Sequence, residues 1–162
     1  MINKNPALLL GIVALALVGG SGFAQEPVVG VANPEELFRD KNPRLNTNKQ
    51  ATLHIMKDLL QCNHWDEASK WLTSRYVQHN PNVRSGREGV VKFFGTRPKT
   101  PTCEKLNTKV VAVLADGDLV TVVMPRELKD PKDPSKTYTT TWFDMWRFVD
   151  GKADEHWDPA TK

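Results

Sequence analysis

The sequence predicts a single α+β domain, with helices in its first half and an antiparallel sheet in its second. Three observations carry this reading. Apolar residues recur at helical spacing between about Thr47 and Gly95. After Pro101 the period changes to β-rich runs. Two Asp-Gly pairs, Asp116-Gly117 and Asp150-Gly151, separate such runs and read as two-residue hairpin turns. Helices followed by strands is the order of an α+β layout.

The chain of 162 residues fits one domain. Its beginning reads as a secretory signal peptide. Lys4 is the positive n-region, Pro6 to Val18 is almost wholly apolar, and Gly22-Phe23-Ala24 has small residues where a signal peptidase cuts. The apolar run is short against the ~20 residues of a bilayer span. An uncleaved anchor is the competing reading. The expected organisation is a signal peptide over 1–24, a flexible proline-containing segment over 25–44, and the folded domain over 45–162. A secreted or periplasmic protein follows, with no membrane attachment after cleavage.

The formal charge is +3, one unit of it from Lys4, and the basic residues are scattered. Nucleic acid is therefore not an expected partner. Cys62 and Cys103 are the two cysteines. Export would allow them to pair, and two free thiols are the alternative. No two histidines have metal-ligand spacing, and no phosphate-binding glycine loop or Gly-x-Ser-x-Gly motif occurs. Neither a metal nor a cofactor is expected.

Along the chain, Glu35–Phe38 suggests one helical turn within the lead-in. Thr47 and Gln50 have capping-box spacing, Leu45 can act as a staple, and Leu53, Met56, Leu59 and Leu60 form an apolar stripe ending near Cys62. A short second helix carries Trp65, Ala68, Trp71 and Leu72 on one side. A third starts at Ser85, with Glu88 three residues on, buries Val90, Phe93 and Phe94, and ends at Gly95. Lys109–Ala115 and Asp118–Met124 form the first hairpin. Both runs are apolar on both sides, so both faces should be covered. Pro125–Lys136 reads as an exposed loop. Tyr138–Val149 and Ala153–Asp158 form the second hairpin.

With Asp150-Gly151 as a two-residue turn, Trp146 faces Glu155 and Asp144 faces Trp157. Side chains alternate across a sheet. One face then carries Trp142, Asp144, Trp146, Phe148, Glu155 and Trp157. The other carries Phe143, Met145, Arg147, Asp154, His156 and Asp158, with an Arg147–Asp154 ion pair. A single β-bulge would invert part of this assignment. A carboxylate among tryptophans loses hydration, which raises its pKa and suits it to proton transfer. The structural alternative is that Asp144 only orders the core through a hydrogen bond. Tyr76-Val77-Gln78-His79-Asn80-Pro81 alternates as a short strand ending in a turn, which places His79 at a rim where it could face a cavity. A purely structural His79 is the alternative. His156 reads as a cap on the sheet end, His54 as solvated helix surface, and His64 as a helix-start residue.

These segments resemble the SnoaL-like polyketide cyclase family. The resemblance rests on Tyr76 to Pro81, Gly86-Arg87-Glu88-Gly89, Phe93-Phe94, Asp116-Gly117-Asp118, and the stretch from Phe143 to Asp158, and it spans about Leu45 to Asp158. It implies the cone of the nuclear transport factor 2-like fold, with three helices packed on a curved antiparallel sheet and a pocket between them. In the cyclases an aspartate on the equivalent hairpin is thought to act as acid/base in an aldol condensation, and Asp144 matches it. His79 is expected to line the same pocket. Trp142 and Trp146 are bulky for that family, and export sits poorly with cytoplasmic polyketide tailoring.

Two functions are expected from this. One is cofactor-independent acid/base chemistry of aldol, isomerase or lyase type on a hydrophobic carbonyl compound. Asp144 and His79 are its catalytic candidates, and Tyr76, Asn80, Phe94, Trp142, Trp146, Trp157 and Glu155 would bind substrate. The other is a secreted small-molecule binding protein without turnover. The resemblance also implies pairing of two copies through the convex sheet face, where Phe143 and Met145 lie.

Overall fold

The computed structural model describes residues 25–162. The signal peptide expected over 1–24 lies outside the described residues. Among those described, no helix is long and apolar enough to cross a membrane.

A 3₁₀ turn at Pro34–Phe38 precedes α1, Pro43–His54. The helix starts earlier than its capping-box spacing suggests. Asn42 is the N-cap, accepting from Arg44 N and Leu45 N, and Pro43 supplies a fixed φ at the first helical position. Thr47 instead donates back to Pro43 O, and Gln50 donates to Phe38 O. That last bond ties the lead-in to the domain, and Phe38 is fully buried. The helix runs on as a π-helical stretch, Ile55–Gln61, whose wider turn sends Ile55 and Leu60 toward the same cavity.

Trp65–Glu67 is a 3₁₀ turn and α2 is the single turn Ala68–Trp71. Leu72, expected in that helix, opens β1, Leu72–Gln78. α3 spans Arg87–Phe94 and ends at Gly95. Its N-cap is Gly86, with φ of 88°, because Ser85 Oγ is occupied in accepting from Gln78 N. The remaining strands are β2 (Ala112–Asp116), β3 (Leu119–Lys129), β4 (Thr137–Val149) and β5 (Lys152–Trp157). β3 continues through Pro125, so the expected loop shrinks to the residues between Lys129 and Thr137.

The α+β architecture holds, with the helices on one face of a curved sheet of order β1-β5-β4-β3-β2. One expectation is corrected: the sheet is mixed. β1 lies parallel to β5, and the other pairs are antiparallel. Parallel pairing needs a long crossover. Here α3, the first hairpin and β4 lie between β1 and its partner in sequence. The strands of the first hairpin are covered on one face only: Val113, Val120 and Val122 are buried, whereas Leu114 is 62% exposed. Phe38, Leu59, Leu72, Val120, Val122 and Trp146 anchor the core, each such side chain stabilising the fold by roughly 1.5–3 kcal/mol relative to exposure. Cys62 and Cys103 form a disulfide with Cα atoms 6.0 Å apart. It pins the end of the long helix to the segment that leads into the sheet.

Candidate functional site

The last hairpin turns as its Asp150-Gly151 pair predicts. Both residues have positive φ, 49° and 73°, the requirement of a type I′ turn. Val149 pairs with Lys152 and Phe148 with Ala153. The register then slips. Arg147 pairs with Glu155, Trp146 with His156 and Met145 with Trp157. Asp154 is the extra residue of a β-bulge. Its carboxylate accepts from Thr73 Oγ1 at 2.6 Å and Arg75 Nε at 3.0 Å, both on β1. These bonds hold the Asp154 carboxyl below its ordinary pKa, the Thr73 hydroxyl first and Arg75 after it, against the opposing effect of burial.

The bulge exchanges the two faces of β5. His156 and Asp158 turn inward, and Glu155 and Trp157 turn outward. β1 obeys the same parity. Tyr76, Gln78 and Asn80 face inward, and His79 faces outward. His79 Nε2 lies 2.8 Å from Glu155 Oε1, and its ring stacks on Trp157 with centroids 5.0 Å apart. Glu155 Oε2 accepts from Arg147 Nε at 3.1 Å, and Arg147 Nη1 donates to Asp118 at 2.8 Å. Three expected site residues, His79, Glu155 and Trp157, thus form an ion-pair and stacking cluster on the outer sheet face. The expected Arg147–Asp154 pair is replaced by Arg147–Glu155.

The inner face borders a cavity of about 240 Å³. Ile55, Leu60, Trp65, Leu72, Val90, Phe94, Trp142 and Trp146 wall it, and Gln78, Asn80, Asp144, His156 and Asp158 gather at one side with Tyr76. The expected residues Tyr76, Asn80, Phe94, Trp142, Asp144 and Trp146 all line it. A wider groove of about 520 Å³ between Val31–Arg39 and Lys105–Lys109 is lined largely by charged and polar residues.

Hydrogen bonds hold the polar side chains of the cavity in place. Trp142 Nε1 donates to Asp144 Oδ1 at 2.9 Å, and His156 Nε2 lies 3.5 Å from the same oxygen. Both contacts fall on Oδ1, and Asp144 lines the cavity. Asn80 Nδ2 donates to Asp158 Oδ2 at 2.7 Å, and Ala160 N donates to Asp158 Oδ1 at 2.8 Å. Trp146 Nε1 donates to the Tyr76 hydroxyl at 3.0 Å. Burial first, and the nearby Asp144 and Asp158 charges after it, push the Tyr76 hydroxyl well above its ordinary pKa, so it stays protonated.

Gln78 sets the state of the imidazole. Its Oε1 accepts from Asn80 N at 3.0 Å, so the atom there is the amide oxygen. His156 Nδ1 lies 2.7 Å from that oxygen and must carry the hydrogen. Nε2 is the nitrogen left to face Asp144. Sequence reasoning missed Gln78, His156 and Asp158. Parity alone contained the signal on β1: if Tyr76 and Asn80 face a pocket, Gln78 faces it too and His79 does not.

A model of the SnoaL-like domain matches residues 56–156, more than half of the chain. No curated protein matches it. Among solved structures, the chain is similar to a nuclear transport factor 2-like protein of unknown function from Burkholderia pseudomallei, at 13% identity and a TM-score of 0.49, with 71% of this chain and 91% of that one covered. It is similar to a candidate SnoaL-like polyketide cyclase from Jannaschia sp. CCS1, at 17% identity and a TM-score of 0.47, with 75% and 91% covered. It is also similar to TsrD from Streptomyces laurentii, at 16% identity and a TM-score of 0.45, with 74% and 90% covered.

Proposed function

Because the chain belongs to the SnoaL-like family, we propose that its cavity binds a small apolar molecule carrying a carbonyl group and moves a proton next to that carbonyl. The observation that supports this most is the pairing of Asp144 with His156 at the polar side of a cavity walled by Trp65, Phe94, Trp142 and Trp146. Aromatic walls bind and orient an apolar body, and a few convergent polar groups fix its polar end. The Asp144 carboxylate takes the proton from the carbon beside the carbonyl. The C–H electron pair moves into the C–C bond, the carbonyl π pair moves to oxygen, and the enolate oxygen accepts from the Tyr76 hydroxyl, whose oxygen is held by Trp146 Nε1. Return of the proton, or attack of the enolate carbon on a second carbonyl, completes an isomerisation or an aldol step. His79, on the outer face, has no part in it. An oxidising, extracytoplasmic location agrees with the Cys62–Cys103 disulfide.

The test needs no knowledge of the natural ligand. 2-Tetralone, a small bicyclic ketone, is incubated with the protein in D₂O, and loss of its α-proton signals is followed by NMR. Wild type accelerates the exchange, and Asp144→Asn loses about 100-fold or more of that acceleration. Exchange unchanged in Asp144→Asn would remove Asp144 from the mechanism. The aromatic walls favour a second reading, a binding protein without turnover. Its signature is quenching of tryptophan emission by the ketone with no acceleration of exchange.

A further inference from the structure

The polar side of the cavity has a second chemistry. Asp144, His156 and Asp158 each offer one ligand atom, and these atoms lie within 4.8 Å of one another. The three side chains are 12%, 9% and 7% exposed, so water does little to screen their charge. No two histidines have ligand spacing in the sequence, but the fold brings one histidine and two carboxylates together.

The spacing is informative. His156 Nε2 and Asp144 Oδ1 are 3.5 Å apart, beyond the 2.7–3.2 Å of a good N–H···O bond. Two ligands on a tetrahedral ion with bonds of about 2.0–2.1 Å lie about 3.3 Å apart. Because Nδ1–H is committed to Gln78, Nε2 turns a lone pair toward a carboxylate oxygen unless a cation or a proton stands between them. All three ligands also have the outer partners that metal ligands need to hold their orientation. Gln78 accepts from the far nitrogen of His156, Trp142 donates to Asp144, and Asn80 donates to Asp158.

We infer that Asp144, His156 and Asp158 form a site for one divalent first-row transition-metal ion, with His156 Nε2 and one oxygen of each aspartate as ligands and an open position toward the cavity. One nitrogen and two oxygens suit Zn²⁺ or Mn²⁺. Mg²⁺, which prefers an octahedral set of oxygens and keeps its waters, suits the site poorly. The site uses the same cavity as the proposed function but does not depend on turnover. Bound metal would take Asp144 out of proton transfer and present an electrophile to a carbonyl oxygen.

Calorimetric titration of the chelator-stripped protein with ZnCl₂, MnCl₂ and MgCl₂ tests this, with no organic ligand present. One Zn²⁺ per chain is expected, with Mn²⁺ also bound and Mg²⁺ weaker by about tenfold or more. Asp158→Asn and His156→Ala should abolish binding. Asn80→Ala keeps all three ligands and should weaken it about 10–100-fold, which keeps the test valid if a ligand variant does not fold. His54→Ala removes a histidine–carboxylate pair outside the cavity, that with Asp58, and should change nothing. The cysteines are bridged and do not compete. No Zn²⁺ or Mn²⁺ uptake, or uptake at wild-type affinity in either His156→Ala or Asn80→Ala, overturns the site. Deuterium exchange into the ketone, run on metal-free protein, is read independently of either result.

Discussion

His156 Nε2 faces Asp144 Oδ1 across 3.5 Å, with Trp142 Nε1 donating to that same oxygen. The carboxylate is thus aimed rather than merely buried. An N–H that holds a charged acceptor contributes about 1.5–3 kcal/mol. Trp142→Phe keeps an aromatic wall and deletes that donor. Ketone α-exchange should fall roughly 10-fold or more, and the melting temperature should drop by roughly 3 °C or more as the same bond is lost. An unchanged exchange rate would mean that Asp144 does not depend on the indole for its aim.

The disulfide closes a loop with a sequence separation of 41. Constraint of the unfolded chain over such a loop is worth about 4 kcal/mol on the chain-entropy account. Urea denaturation of the Cys62→Ser, Cys103→Ser double variant should show a loss of about 2–4 kcal/mol. The same loss should follow from reducing the wild type. Equal stability with and without reductant would show that the bridge contributes nothing.

Asp154 predicts an acid dependence. Its folded pKa is depressed, so its contribution is fully present above the unfolded value of about 3.9 and is lost as pH falls through the lower folded value. Asp154→Asn should therefore melt at a lower temperature than wild type at pH 7, with the gap closing below about pH 4. Melting curves between pH 7 and about pH 2.5 check this. A gap that stays constant across the range would show that charge on Asp154 is not what stabilises the bulge.

The same bulge explains how much of the site could be read in advance. Alternation along Trp142, Asp144 and Trp146 was legible because β4 is regular through that stretch. The turn was legible because Asp-Gly accepts two positive φ angles. The bulge was not, since nothing within Ala153-Asp154-Glu155-His156 marks it. Its cause lies 81 and 79 residues away, in Thr73 and Arg75. One displaced residue then moves Glu155 and Trp157 out of the cavity and His156 and Asp158 into it. The start of α1 shows the same limit. Thr47 and Gln50 match a capping box, yet Asn42 caps, because Gln50 is drawn to the buried Phe38 segment.

Gly151 couples that hairpin to α1. Its φ is 73°, and a Cβ placed there would sit 3.1 Å from Thr47 Cγ2. Gly151→Ala should cost about 1–2 kcal/mol from the left-handed backbone alone, read as a lower urea midpoint. Thr47→Ser removes the facing methyl and should recover part of any further loss. A Gly151→Ala protein as stable as wild type would contradict the type I′ turn.

If the bulge places Asp144, and not Glu155, at the working cavity, the two carboxylates should behave oppositely when neutralised. Ketone α-exchange is measured side by side in Asp144→Asn and Glu155→Gln. The predicted result is a loss of about 100-fold or more in Asp144→Asn and a rate within about twofold of wild type in Glu155→Gln. Loss in Glu155→Gln with activity kept in Asp144→Asn would contradict both the register and the site.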